Sequence, residues 1–137
     1  MRPLAWSQRD NPRRQIPLMA ETFPAFTWRP NRQGGITWKG TLQPTAESTV
    51  YHVRIEHDDH PKVFVSEPRI QHAKHRYCDG SLCLYYPRDW QWSVRANLAS
   101  SIVPWTALWL YFHETWLVTG EWLGPSSPHD AEKERSQ

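Results

Sequence analysis

At 137 residues and a formal net charge of +2, the chain is sized for one domain around one core, and its mean hydropathy of −0.73 is hydrophilic. No run reaches the roughly 18 apolar residues of a membrane span. The longest, Val103 to Phe112, is interrupted by Pro104 and Thr106, and Met1 to Arg14 is rich in arginine and proline with no apolar signal core. A cytoplasmic location with reduced thiols at Cys78 and Cys83 is the expectation. Basic residues dominate up to Gly40 (Arg2, Arg9, Arg13, Arg14, Arg29, Arg32 and Lys39 against Asp10 and Glu21). They form no basic helix and no base-stacking motif, so they read as a solvated face, with neither nucleic acid nor membrane as a partner. Nine tryptophans are many for a small domain and suggest docking against a protein.

Taken in order, Leu4 to Met19 is punctuated by Pro12 and Pro17 and has room for a short, interrupted helix at most. From Ala25, Phe26 and Trp28 alternate with polar neighbours, Asn31 to Gly35 are turn residues, and Ile36, Trp38 and Leu42 follow: a hairpin. Thr49 to His57, with Val50, Tyr51, Val53 and Ile55, predicts a third strand, broken by Asp58 to Pro61. Lys62 to Ser66 predicts a fourth, closed by Pro68. The fold class is therefore α+β, built on a four-stranded antiparallel meander.

Past Pro68 the periodicity stops, and polar chemistry gathers in His72, His75, Tyr77, Cys78, Asp79 and Gly80 before the trio Leu82, Cys83, Leu84. After Pro87, the residues Val94, Leu98, Ile102, Trp105, Trp109, Phe112 and Trp116 recur at spacings of four, four, three, four, three and four, one face of a helix. Ser93 is placed to cap it, Pro104 to kink or restart it, and Thr119 with Gly120 to end it. Residues from Pro125 onward have the composition of a disordered tail, so the domain is taken as 1–124 and the tail as 125–137.

A cysteine between two leucines is by default a buried small hydrophobe. Its surroundings point elsewhere. Gly80-Ser81-Leu82-Cys83-Leu84, followed by Gln91-Trp92-Ser93 and the long helix and preceded by the meander, resembles the ubiquitin-conjugating enzyme family over about Ala25 to Trp116. The resemblance implies a ubiquitin-conjugating (UBC-like) fold and a transferase in which Cys83 accepts an activated carboxyl group as a thioester and passes it to an amine. In most relatives a His-Pro-Asn triplet precedes the cysteine; here Ala73, Lys74 and His75 stand in its place. His75 replaces the asparagine, eight residues before Cys83, and is expected to donate to an oxyanion or to act as a base.

The set His75, Tyr77, Asp79, Gly80, Leu82, Cys83 and Leu84, with Trp109, Trp116, Thr119, Gly120, Trp122, Gly124 and His129, is similar to bacterial ubiquitin-conjugating-like proteins of antiphage CBASS operons. That similarity implies a partner carrying a C-terminal carboxylate, a cGAS-like nucleotidyltransferase primed for signalling by the conjugation. Asp79 and Tyr77 are the supporting residues: Asp79 either tunes His75 or Cys83 by its charge or simply forms the turn before Gly80. The chain has no Gly-rich phosphate loop, no paired-carboxylate motif and no Gly-x-Ser-x-Gly elbow. No cofactor is expected, and activation of the carboxylate falls to a separate ATP-dependent enzyme.

Two other readings use the same residues. His72, His75, Cys78 and Cys83 are four legitimate zinc ligands in one loop, and a non-catalytic partner-binding module would keep the fold and use its tryptophans. Trp109, Trp116 and His113 are expected to be structural, and Trp122, beyond Gly120, to face a partner.

Overall fold

The computed structural model describes residues 11–70, 75–76, 79–84 and 96–124. The expected short N-terminal helix is described from Asn11 onward, Leu4 to Asp10 lying outside the described residues. A 3-10 turn at Pro12–Arg14, its Arg13 N–H held by the Asn11 side chain at 3.0 Å, runs into α1, Gln15–Thr22. Pro17 does not interrupt α1, because it lies in the first turn, where backbone N–H groups have no partner within the helix.

Four strands follow: β1, Thr27–Pro30; β2, Ile36–Leu42; β3, Tyr51–His57; and β4, Pro61–Glu67. They pair antiparallel in the order β1-β2-β3-β4, the expected meander. Trp38 lies opposite both Trp28 and Ile55, and Ile55 opposite Val63. Two-residue alternation then sends Ile36, Trp38, Tyr51, Val53, Ile55 and Val63 to one face, where all are buried. Val50 precedes β3 and is exposed, so the alternation begins at Tyr51. Pro61 starts β4 instead of breaking the chain before it, a position at which a strand tolerates proline.

The opposite sheet face carries part of the basic bias. Arg29, Lys39 and Arg54 line a shallow groove with Thr27, Trp28, Thr37 and Glu56. The Arg54 guanidinium lies 4.6 Å from the centre of the Phe64 ring and 3.0 Å from Glu56.

Helix α2, Val103–Thr119, packs on the buried face. It follows one π-type turn, Leu98–Ile102, in which Val103 N–H reaches back to the carbonyl of Leu98. Pro104 falls in the first turn of α2, so it restarts the helix. That wider turn shifts the phase of everything after it. The buried stripe is Leu98, Ile102, Val103, Thr106, Trp109, Leu110 and His113, whereas Trp105, Phe112 and Trp116, expected to be core, are half-buried. Ser93 and Val94, the expected start of the helix, lie outside the described residues, as does the expected tail from Pro125.

Side chains from distant parts of the chain fix how α1, α2 and the sheet meet. The buried Gln15 accepts from Leu98 N–H at 2.9 Å and donates to the Ala96 carbonyl at 3.2 Å. Arg14 donates to the same carbonyl at 2.6 Å and to the Asn97 side chain at 3.0 Å. Glu114 of α2 accepts from the Tyr51 hydroxyl at 2.9 Å and from Ser48 at 2.7 Å. Burial, and then this carboxylate, push the Tyr51 phenol well above its ordinary value.

Candidate active site

Leu82 and Leu84 bracket Cys83. Leu82 is buried and Leu84 packs against the core, so in an extended segment the alternation turns Cys83 the other way. Its thiol is reduced and half-buried. Two backbone bonds seat this segment: Leu82 N–H donates to the Val63 carbonyl of β4, and Cys83 N–H to the carbonyl of His75, each at 2.9 Å. With Arg76 paired to Leu82 in an antiparallel bridge, His75 and Cys83 face each other across the mouth of a small loop.

The loop is closed by Asp79-Gly80-Ser81. One Asp79 oxygen accepts from Ser81 N–H at 2.9 Å and from the Ser81 hydroxyl at 2.6 Å. Its other oxygen lies 3.1 Å from Lys62 of β4. Hydrogen bonds from Ser81 first, and the ammonium of Lys62 after them, hold the carboxyl down at about 2. Asp79 is thus ionised at neutral pH and engaged in the turn that presents Cys83. Its partners are Ser81, from the run around Cys83, and Lys62, to which no motif drew notice.

His75 is 2 % exposed and adopts a left-handed backbone, φ 61°. Such a conformation is uncommon outside glycine and needs surrounding contacts to hold it. They are present. The His75 carbonyl accepts from the Trp109 indole N–H at 3.1 Å as well as from Cys83. Its ring stacks on Trp122, with centroids 4.0 Å apart and planes 19° from parallel. Trp109 stacks in turn on His113, centroids 5.5 Å apart and planes at 14°. Burial of His113 favours its neutral form and lowers its pKa, with Glu114 opposing and Arg76 assisting.

Of the expected site residues, the structure brings together His75, Asp79 and Cys83 on one loop; Tyr77 lies outside the described residues. His72 and Cys78, two of the four ligands of the zinc alternative, lie outside them too. Among the described residues no cluster of three or more His, Cys, Asp or Glu is placed to hold a metal ion. His113 and Trp109 are structural, as expected. Trp122 departs from expectation: it is half-buried and packed on His75, Trp109 and Phe112. Gly120 predicts that the chain turns back after α2, but not which side chain the returning indole covers.

A four-stranded antiparallel meander packed against helices, with a reduced cysteine on the loop beyond it, is consistent with the fold of ubiquitin-conjugating (E2-like) proteins. A model of the family described as Type II CBASS E2 protein matches residues 15–130. The chain belongs to that family: it is a CBASS-associated E2-like protein. No curated protein matches it. Among the described residues no helix is long and apolar enough to cross a membrane.

Proposed function

We propose that this protein is a cytoplasmic conjugating transferase in which Cys83 forms a thioester with the C-terminal carboxylate of a cGAS-like nucleotidyltransferase, priming that partner for signalling in CBASS defence. Membership of the Type II CBASS E2 family supports the reading. The observation that carries it is the setting of Cys83: a half-buried free thiol opposite His75, on a loop anchored to β4 by Lys62 and by the Leu82–Val63 bond.

The chemistry begins with a carboxyl group already activated by a separate ATP-dependent enzyme. The Cys83 thiolate attacks the activated carbonyl carbon, a C–S bond forms, and the activating group departs with the electrons of its bond. An amine then attacks the thioester carbon and the thiolate leaves. His75 is the residue assigned to assist, as oxyanion donor or as base, and Asp79 supports by shaping the turn. Residues 1–124 are taken as the conjugating domain.

The test is the adduct. Wild-type protein with its partner and the activating enzyme should give a conjugate that survives denaturant and yields to thiol reductant or hydroxylamine. Cys83→Ala should abolish it, and Cys78→Ala should leave it intact. A wild-type conjugate that resists both reagents means an isopeptide end state. Formation of the conjugate by the Cys83→Ala protein overturns the assignment.

A second reading, a partner-binding module with no chemistry of its own, draws on α2 and the segment after it, which leave Leu108, Tyr111, Leu117, Val118 and Leu123 exposed. It predicts that Cys83→Ala retains partner binding and that no covalent species forms with wild type.

A further inference from the structure

We infer that Trp122 is a positioning residue for the Cys83 site: its indole sets the orientation of the His75 imidazole, and the segment Gly120–Gly124 is a strap that delivers it there. The inference rests on the thioester reading of Cys83 with His75 and adds to it a residue from outside the loop.

Two observations carry it. His75 is buried and its left-handed backbone is held by bonds to its carbonyl. The Trp122 indole lies flat on its ring at 4.0 Å. Stacking at that separation constrains the plane of the imidazole, and hence the plane in which its two nitrogens can meet a partner. An imidazole in this place assists a reaction at Cys83 only if a nitrogen is correctly aimed, and an error of about 1 Å costs on the order of 100-fold in rate.

The path of the strap is built for this placement. Gly120, at φ 76°, caps α2 with its N–H on the Trp116 carbonyl at 2.8 Å, and a left-handed residue there reverses the chain. The Thr119 hydroxyl donates to the Thr115 carbonyl at 2.8 Å and accepts from Glu121 N–H at 3.1 Å, shaping the return. Gly124 then passes so close to Phe112 that a Cβ there would lie 2.4 Å from the ring. Between these fixed points Trp122 meets His75, Trp109 at 5.4 Å and Phe112 at 5.9 Å. The same Trp109 that bonds the His75 carbonyl therefore supports the indole above its ring.

The test reads the Cys83 thiol directly, with iodoacetamide as the probe and Cys78→Ala as the background so that one thiol reports. Trp122 and Trp109 lie against His75, and Asp79, Lys62, Arg76, His113 and Glu114 are titratable or charged groups near the site; all but Trp122 are retained in the Trp122 variants. The alkylation rate is followed against pH for wild type, His75→Ala, Trp122→Ala, Trp122→Phe and Trp116→Ala. His75→Ala establishes what the imidazole contributes to the profile. Trp122→Ala should move the profile in the same direction by at least half as much, Trp122→Phe should restore it, and Trp116→Ala, which removes the half-buried indole stacked on His113, should leave it in place. Because Trp122 acts through His75, its substitution should add nothing in a His75→Ala chain, a coupling that a purely structural loss would not show.

Thermal melts accompany each variant; should Trp122→Ala fail to fold, Trp122→Leu, which keeps apolar bulk but no ring, takes its place. A wild-type profile in the ringless variant, alongside a shifted His75→Ala profile, overturns the inference and leaves the site reading standing. Equal further shifts in the presence and absence of His75 also overturn it. If His75→Ala itself leaves the profile unchanged, the assignment of His75 falls and this inference falls with it.

Discussion

A single carboxylate shows how the loop is set at the scale of residues. Asp79 is held at about 2, against 3.8 for an ordinary aspartate, by Ser81 and then Lys62. A folded-state value below the unfolded one means that the stabilisation is present above pH 4 or so and is lost as pH falls from there toward 2. The side chain is 40 % exposed, so solvent screens the pair and the gain is under about 1 kcal/mol. Asp79→Asn should therefore lower stability slightly at neutral pH and leave it unchanged near pH 2 in urea titrations. Ser81→Ala should lose part of the same pH dependence. If the proposed role of His75 is oxyanion donor, its loss should slow transfer by on the order of 100-fold with partner binding nearly unchanged. Asparagine should then rescue more than alanine; if the imidazole is a base, the two variants should be equally poor and the wild-type rate should fall on acidification. Single-turnover transfer rates across a pH series separate the two roles.

At the scale of elements, side chains from remote positions decide how α1 and α2 lie on the sheet. Glu114 joins α2 to β3 through Tyr51 and to the preceding loop through Ser48. Removing it as Glu114→Ala strands a half-buried network and should cost about 1–3 kcal/mol, read from the denaturant midpoint. The raised Tyr51 phenol contributes stability that is intact below pH 10, the unfolded value, and is lost as pH climbs above it. Tyr51→Phe should flatten that alkaline limb. Gln15→Ala should also cost about 1–3 kcal/mol, because it leaves the buried Leu98 N–H without its acceptor. The phase of α2 belongs to this scale as well. Regular spacing from Val94 to Trp116 predicts one buried face, yet the π turn at Leu98–Ile102 rotates it and leaves Trp105, Phe112 and Trp116 half-buried. A pattern of threes and fours contains no sign of a five-residue step.

At the scale of the molecule, one cluster of apolar side chains among the described residues joins α1, the sheet, the Leu82–Leu84 segment and α2. A single core predicts a single cooperative transition. A chain ending at Gly124 should unfold with the same midpoint as the full chain if 1–124 is the domain, and a lower midpoint or a second transition would move that boundary. His113 makes this core sensitive to acid. Its pKa is lowered by burial from 6.5, so the unfolded chain binds a proton first, and stability should fall as pH drops below about 6.5. His113→Gln should blunt the response in urea titrations between pH 7 and pH 5, roughly the range in which histidine titrates.

The meander was legible because alternation has a period of two and its turns are spelled in Asn, Gly and Pro; Phe26 to Val65 needs no tertiary information to read as four strands. Cys83 was legible for a different reason, the short run around it and its order relative to the strands and the long helix. Neither the ion pair of Lys62 with Asp79 nor the indole on His75 has a local pattern. Lys62 and Asp79 are 17 residues apart and His75 and Trp122 far more distant still, and which long-range pairs meet depends on how the core packs. Local sequence determined the strands, the cysteine and the place where α2 ends, since each rests on neighbours a few residues away. The tertiary structure alone decided that Trp122 turns inward onto His75 instead of outward to a partner, because the left-handed cap at Gly120 and the Trp109 beneath it leave the returning indole a buried ring to cover.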